Sequence, residues 1–192
     1  MKRYIKTAVR TLSEESDDFR RELAQRDNTS PRDLAQLAES NNRYIRRDVA
    51  RNRNLPMEAR LKLLKDDDLA YYDAIYYGDF TPEFLDTLAH DPNNWRFLQA
   101  ISQHKNTSPK TLAWLVDTVN NDYVLSGVAG NRNTSSETLA KLAGNQNYAL
   151  RQRVALNPST PVEILKKLAN KDKSVRVRRC AAAELERRRE QG

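Results

Sequence analysis

The sequence predicts an all-α chain, a solenoid of about six to seven short two-helix repeats with a period of about 26 residues and no β-sheet. Three recurrences carry that expectation. A small apolar pair returns through the chain as Leu23-Ala24, Val49-Ala50, Ala74-Ile75, Ala100-Ile101, Val128-Ala129, Val154-Ala155 and, more loosely, Ala181-Ala182. A helix-start signature follows each of the first six pairs, and in five of these repeats leucines three apart follow the signature.

The first half of each repeat is read as a short helix ending at the apolar pair. The second half opens on Asn28-Thr29-Ser30-Pro31, Asn54-Leu55-Pro56, Phe80-Thr81-Pro82, Asn106-Thr107-Ser108-Pro109, Asn133-Thr134-Ser135-Ser136 or Ser159-Thr160-Pro161. A Ser or Thr N-cap accepts from a free backbone N–H, and proline at the first helical position loses no bond it would have made. Acids three residues past the cap, as in Ser30 to Asp33 and Thr160 to Glu163, strengthen the assignment. Leu34 and Leu37, Leu85 and Leu88, Leu112 and Leu115, Leu139 and Leu142, and Leu165 and Leu168 then give one-sided helices of two to three turns. The repeat from Leu55 to Ile75 departs from this, its leucines apparently shifted by two residues to Leu61 and Leu64. No single repeat has enough apolar surface to stand alone, so neighbours must stack.

The expected organisation is one repeat domain over residues 1–192: an N-terminal cap over 1–16, repeats over 17–183 and a basic C-terminal tail over 184–192. Tyr4, Ile5 and Val9 allow the cap a short amphipathic helix. The opening residues lack the apolar core of a signal peptide, and no apolar run approaches a bilayer's thickness, so a cytoplasmic chain without membrane contact is expected. Cys180 is the only cysteine and is expected to be a small buried helix residue.

The segment Leu150-Arg151-Gln152-Arg153-Val154-Ala155-Leu156-Asn157-Pro158-Ser159-Thr160-Pro161-Val162-Glu163-Ile164-Leu165 resembles a repeat of the variant leucine-rich repeat proteins. The resemblance covers roughly residues 17 to 183 and implies alternating α- and short 3-10 or α-helices wound into a right-handed, HEAT-like superhelix. Some members carry an iron–sulfur module on clustered cysteines, which one cysteine cannot supply. The family pattern also places a basic residue three before each apolar pair. Arg20, Arg46, Arg151 and Arg178 fit, while Tyr71, Phe97 and Leu125 occupy the central positions. Such arginines either stitch neighbouring repeats together or, with Arg176, form a phosphate-binding stripe for DNA or RNA.

Charge is segmented. From Asp66 to Trp95 there are eight acids and no Lys or Arg, so in a chain of net charge +7 everything outside that window sums to +15. Aromatics crowd the same stretch. Tyr71-Tyr72 and Tyr76-Tyr77 span more than one helix face, so at least two of these tyrosines are expected to be exposed beside carboxylates. Exposed Tyr and Trp are hot-spot residue types, and surrounding acids favour a basic partner. The expected protein-binding surface is therefore Tyr71, Tyr72, Tyr76, Tyr77 and Trp95 as anchors, with Asp66, Asp67, Asp68 and Asp73 steering. At the C-terminal end, Lys166 to Arg189 is strongly basic, read either as a solvated capping helix or as a nucleic-acid contact.

Enzyme signatures are lacking. His90 and His104 are not at metal-ligand spacing, and the glycines form no phosphate loop, so no enzyme activity, metal, cofactor or small-molecule substrate is expected. A helical-repeat DNA glycosylase using Trp95, Trp114 and nearby acids would need positive charge where this chain is most acidic. The functional expectation is a non-enzymatic scaffold that binds a basic protein, as an inhibitor or regulator of a nucleic-acid-binding protein or nucleoprotein complex. Direct nucleic-acid binding through Arg20, Arg46, Arg151, Arg176 and Arg178 is the alternative.

Overall fold

The computed structural model describes residues 12–65 and 70–191. Among the described residues thirteen α-helices alternate as the repeat predicts. The first helices of successive repeats are α1 (Asp17–Gln25), α3 (Arg43–Arg51), α5 (Ala70–Tyr76), α7 (Leu98–Gln103), α9 (Asp122–Gly130), α11 (Tyr148–Leu156) and α13 (Val175–Gln191). The second helices are α2 (Pro31–Leu37), α4 (Met57–Leu63), α6 (Pro82–His90), α8 (Pro109–Thr118), α10 (Ser136–Leu142) and α12 (Val162–Lys171). No strand occurs among the described residues. The predicted cap falls largely on residues 1–11, outside the described residues. Of the rest, Leu12–Glu14 forms a 3-10 turn and the Ser16 side chain caps α1.

Contacts divide the chain into two compact units, Met1–Gly78 and Asp79–Gly192. In the first unit α1 packs on α3 and α3 on α5. In the second, α7, α9, α11 and α13 stack in order. Each core consists of the apolar pairs of the first helices against the leucines of the second, with Leu34, Val49, Leu112, Val128, Leu139, Val154 and Leu165 fully buried. Burying each Leu or Val side chain contributes about 1.5–3 kcal/mol, and only neighbouring repeats can supply the covering atoms.

Capping follows the residue types. Ser30, Thr81, Ser108 and Ser135 accept from the backbone N–H three residues on, and Pro31, Pro82 and Pro109 sit in the first turn. Thr160 differs from expectation. It is buried one residue before the cap, and its hydroxyl donates to Val154 O. Thr29, Thr107 and Thr134 make the same bond to Leu23 O, Ile101 O and Val128 O. A hydroxyl one position earlier thus ties the inter-helix turn back onto the first helix, and α12 starts after Pro161 without a side-chain cap.

The second repeat requires a correction. The expected leucine pair holds only in part: Leu64, at the end of α4, is buried, but Leu61 is exposed, and α4 itself buries Ala59, Arg60 and Leu63. Counting from the helix start, Arg60 stands where the other repeats place Leu34, Leu85, Leu112, Leu139 and Leu165, and it is only 2% exposed. Cys180 is half-buried, with its Sγ 3.5 Å from Gln152 Nε2.

Candidate functional site: an aromatic departure from the repeat ladder

The repeats are joined by an asparagine ladder. Asn52 Nδ2 donates to Ala24 O and Arg26 O, Asn131 Nδ2 to Ser102 O and His104 O, and Asn157 Nδ2 to Ala129 O and Asn131 O. Each Asn side-chain oxygen meanwhile accepts from the backbone N–H two residues on. The rule is constant: the amide reaches the carbonyl of the preceding ladder residue and that of the residue two before it. His104 holds the position in its own repeat, fully buried, with Nδ1 accepting from Asn106 N. These side chains satisfy carbonyls that helix ends leave free, and each would otherwise cost about 1–3 kcal/mol when buried.

At residue 77 the ladder position holds a tyrosine, 45% exposed. By the rule, an asparagine there would bind Asn52 O and Ala50 O. Both are bound instead by Arg60, whose Nη2 lies 2.8 Å from Asn52 O and whose Nη1 lies 2.7 Å from Ala50 O and 3.3 Å from Ala74 O. Burial pushes the pKa of the Arg60 guanidinium down to about 10. In this repeat an arginine therefore stands at the core-leucine position and a tyrosine at the ladder position, and the tyrosine lies on the surface.

Tyr77 forms one wall of a groove of about 760 Å3 in the first unit, lined also by Asp27, Asp48, Arg51, Arg53 and Asn54. Its ring meets Tyr76 edge-on at 4.9 Å, and Tyr76 stacks on Tyr72 at 6.2 Å. Tyr76 is exposed, and Tyr71 and Tyr72 are half-buried. Asp73 lies elsewhere than the steering reading places it: it is buried, and its carboxylate accepts from Arg47 and Arg51. Asp48, its equivalent one repeat earlier, takes Arg21 in the same way. Asp66, Asp67 and Asp68 lie outside the described residues. Trp95, in the second unit, is 75% exposed, the most of any large apolar side chain among the described residues.

The arginines of the alternative stripe are mostly engaged. Arg20 pairs with Asp17, Arg46 donates to Ser40 O and Asn41 O, and Arg178 donates to Asp172 O and Lys173 O. Arg151 donates to Asn145 O and Gln146 O and grips Asp172 through two bonds of 2.7 and 2.8 Å. That grip holds the Asp172 carboxyl below its ordinary range. Arg176 is exposed, with no hydrogen-bond or ion-pair partner among the described residues. At the C-terminal end Arg188 donates to Asn157 O, Pro158 O and Thr160 O, closing the last ladder rung, while Glu184 anchors Arg187 and Arg188. Sequence reasoning missed Arg60 and the ladder. The signal that could have found both was the return of Asn at 52, 131 and 157, broken at 77.

Among the described residues no group of His, Cys, Asp and Glu is placed to hold a metal ion, and no helix is long and apolar enough to cross a membrane. A solved structure described as a leucine-rich repeat variant with a novel repetitive protein structural motif superposes with a TM-score of 0.58, covering 89% of this chain and 67% of that one at 21% identity. The fold is that of a leucine-rich repeat variant. No family model matches the sequence, and no curated protein matches it. At 21% identity the likeness speaks for the fold alone.

Proposed function

We propose that this chain is a non-enzymatic scaffold that binds a protein partner through the aromatic surface of α5, with Tyr76 and Tyr77 as anchors at the rim of the first unit's groove. The observation that carries the reading is the linked exchange at Arg60 and Tyr77. A ladder asparagine at 77 would satisfy the same carbonyls without placing a guanidinium in a leucine site, so local stability gives no reason for the exchange. An exposed, edge-packed tyrosine pair beside a groove does: it offers large, stiff apolar area with hydroxyls at the tips.

Asp66, Asp67 and Asp68 directly precede α5 in the sequence and favour a basic partner. If that partner uses its basic surface on nucleic acid, the same contact makes this chain an inhibitor or regulator of it. Asp73 is left out of the surface, since Arg47 and Arg51 already neutralise it. The rival reading, a phosphate-binding stripe of Arg20, Arg46, Arg151, Arg176 and Arg178, has four of its five guanidiniums committed to bonds within the repeats.

The test is a pull-down from cell lysate with nuclease present, comparing the wild type with Y76A/Y77A and with D66N/D67N/D68N, each confirmed folded by circular dichroism. The reading expects a nuclease-resistant partner that is lost in the tyrosine variant and weakened in the asparagine variant. Retention of every partner by Y76A/Y77A overturns it. Trp95→Ala, run alongside, asks whether the second unit's exposed indole belongs to the same interaction.

A further inference from the structure

The second unit carries a surface of a different kind, independent of the α5 reading. A groove of about 730 Å3 opens between the turn leading into α11 and the C-terminal end of α12. Its floor is the Arg151–Asp172 pair, which is internally neutral and further fixed by Ser174 N donating to Asp172 Oδ1. Its walls carry Lys167, Lys171 and Lys173, all exposed, and none of their ammonium groups has a carboxylate partner among the described residues. Asp172 is the only acid lining the groove, and it is spent on Arg151. The groove therefore presents three uncompensated positive charges.

An aromatic side chain stands at its rim. Tyr148, 45% exposed, opens α11 and lines the groove. Tyr123, 72% exposed, stands in the first turn of α9, the helix stacked on α11. Asn147 Nδ2 donates to Asp122 Oδ2 at 2.8 Å, which ties together the two helix starts that carry these tyrosines. Stacked helices lie roughly 8–10 Å apart, which sets the scale of the tyrosine row.

We infer that this groove binds single-stranded nucleic acid, the backbone phosphates lying along Lys167, Lys171 and Lys173 and a base stacking on Tyr148, with Tyr123 as the platform for a following base. Free lysines serve as point charges for phosphate, and aromatic faces accept any base, so the combination suits a strand bound with little sequence preference. An acidic peptide would use the lysines and leave the exposed rings without a role.

The test is fluorescence anisotropy of a labelled oligothymidine strand titrated with the full chain over a salt series. The logarithm of affinity should fall linearly with the logarithm of salt concentration with a slope of about −2, three phosphates at about −0.7 each. K167Q/K171Q/K173Q should lower affinity about ten- to a hundredfold at low salt and flatten that slope. Tyr148→Ala should lower it about five- to a hundredfold and leave the slope unchanged. Lys110→Gln, exposed in the same unit outside the groove, should change neither. If Tyr148→Ala melts early, Tyr148→Phe against Tyr148→Leu makes the comparison, since only the former keeps the ring. Absence of binding at low salt, or binding that neither groove variant weakens, overturns the inference. Competition by polyglutamate as effective as by unlabelled oligothymidine, together with indifference to Tyr148→Ala, assigns the groove to acidic peptides and overturns it equally.

Discussion

The Arg60 guanidinium sits on the two carbonyls, Ala50 O and Asn52 O, that a ladder asparagine at position 77 would bind, and Tyr77 is thereby free to face solvent. The two residues are 17 positions apart, Arg60 inside α4 and Tyr77 in the turn that follows α5, yet they fill one structural role between them.

Arg60→Leu restores the core leucine but orphans buried carbonyls, so it should destabilise the first unit by about 1–3 kcal/mol. Tyr77→Asn alone finds those carbonyls already taken and gains little. In R60L/Y77N the asparagine should bind them, giving a double-mutant coupling of about 1–3 kcal/mol by urea unfolding. Additive effects would sever the proposed link. The same double variant should lose the partner of the α5 surface while remaining folded.

Asn157 Nδ2 satisfies two buried carbonyls and Oδ1 receives Ser159 N. Asn157→Ala is expected to cost about 2–4 kcal/mol in urea unfolding of the second unit. Asn157→Asp, which keeps the acceptor and loses the donor, should cost as much or more. Tolerance of both would mean that the ladder contributes nothing net.

Acid should loosen the C-terminal repeats. Hydrogen bonds from Arg187, followed by those from Arg188, hold the Glu184 carboxyl down to about 2 against an ordinary 4.5, and Arg151 lowers Asp172. Because the folded value is the depressed one, this stability is complete above about pH 4.5 and is lost as pH falls toward 2. Its size for Glu184 is on the order of 2 kcal/mol. Glu184→Gln should remove most of that acid dependence, read as unfolding free energy against pH, and an unchanged profile would contradict the assignment.

Gly127, inside α9, has no room for a side chain: an added Cβ would overlap Ser102 Oγ and lie 2.9 Å from Ser102 Cβ. Gly127→Ala gains about 1 kcal/mol of helix propensity and loses about 1–3 kcal/mol to overpacking, a net loss in melting stability. G127A/S102G should recover much of it by vacating the space.

The fold class was legible because a solenoid repeats its physics. The apolar pairs and the leucines at three-residue spacing are local patterns, and each of the matched helices forms where they stand. Ser30, Thr81, Ser108 and Ser135 could be read as caps because capping involves a residue and its own next turn. The α4 register was misread for the opposite reason. Leu61 and Leu64 look like the core pair in a search for leucines, whereas the core position is occupied by an arginine whose partners lie 8, 10 and 14 residues away.

The same division separates the readings of the functional surfaces. The amino-acid sequence by itself determined the repeat, its period, the helix starts and the separation of charge, since all of these follow from side-chain type and short-range spacing. Only the tertiary structure decided that Asp73 is neutralised by Arg47 and Arg51, that Arg151 and Arg188 are spent on neighbouring repeats, and that Lys167, Lys171 and Lys173 are left uncompensated. Whether a charge is available to a partner depends on which opposite groups the stacking brings within hydrogen-bond reach. Those groups come from 20 to 30 residues away, one repeat over, where the sequence pattern specifies residue types but not the pairings among them.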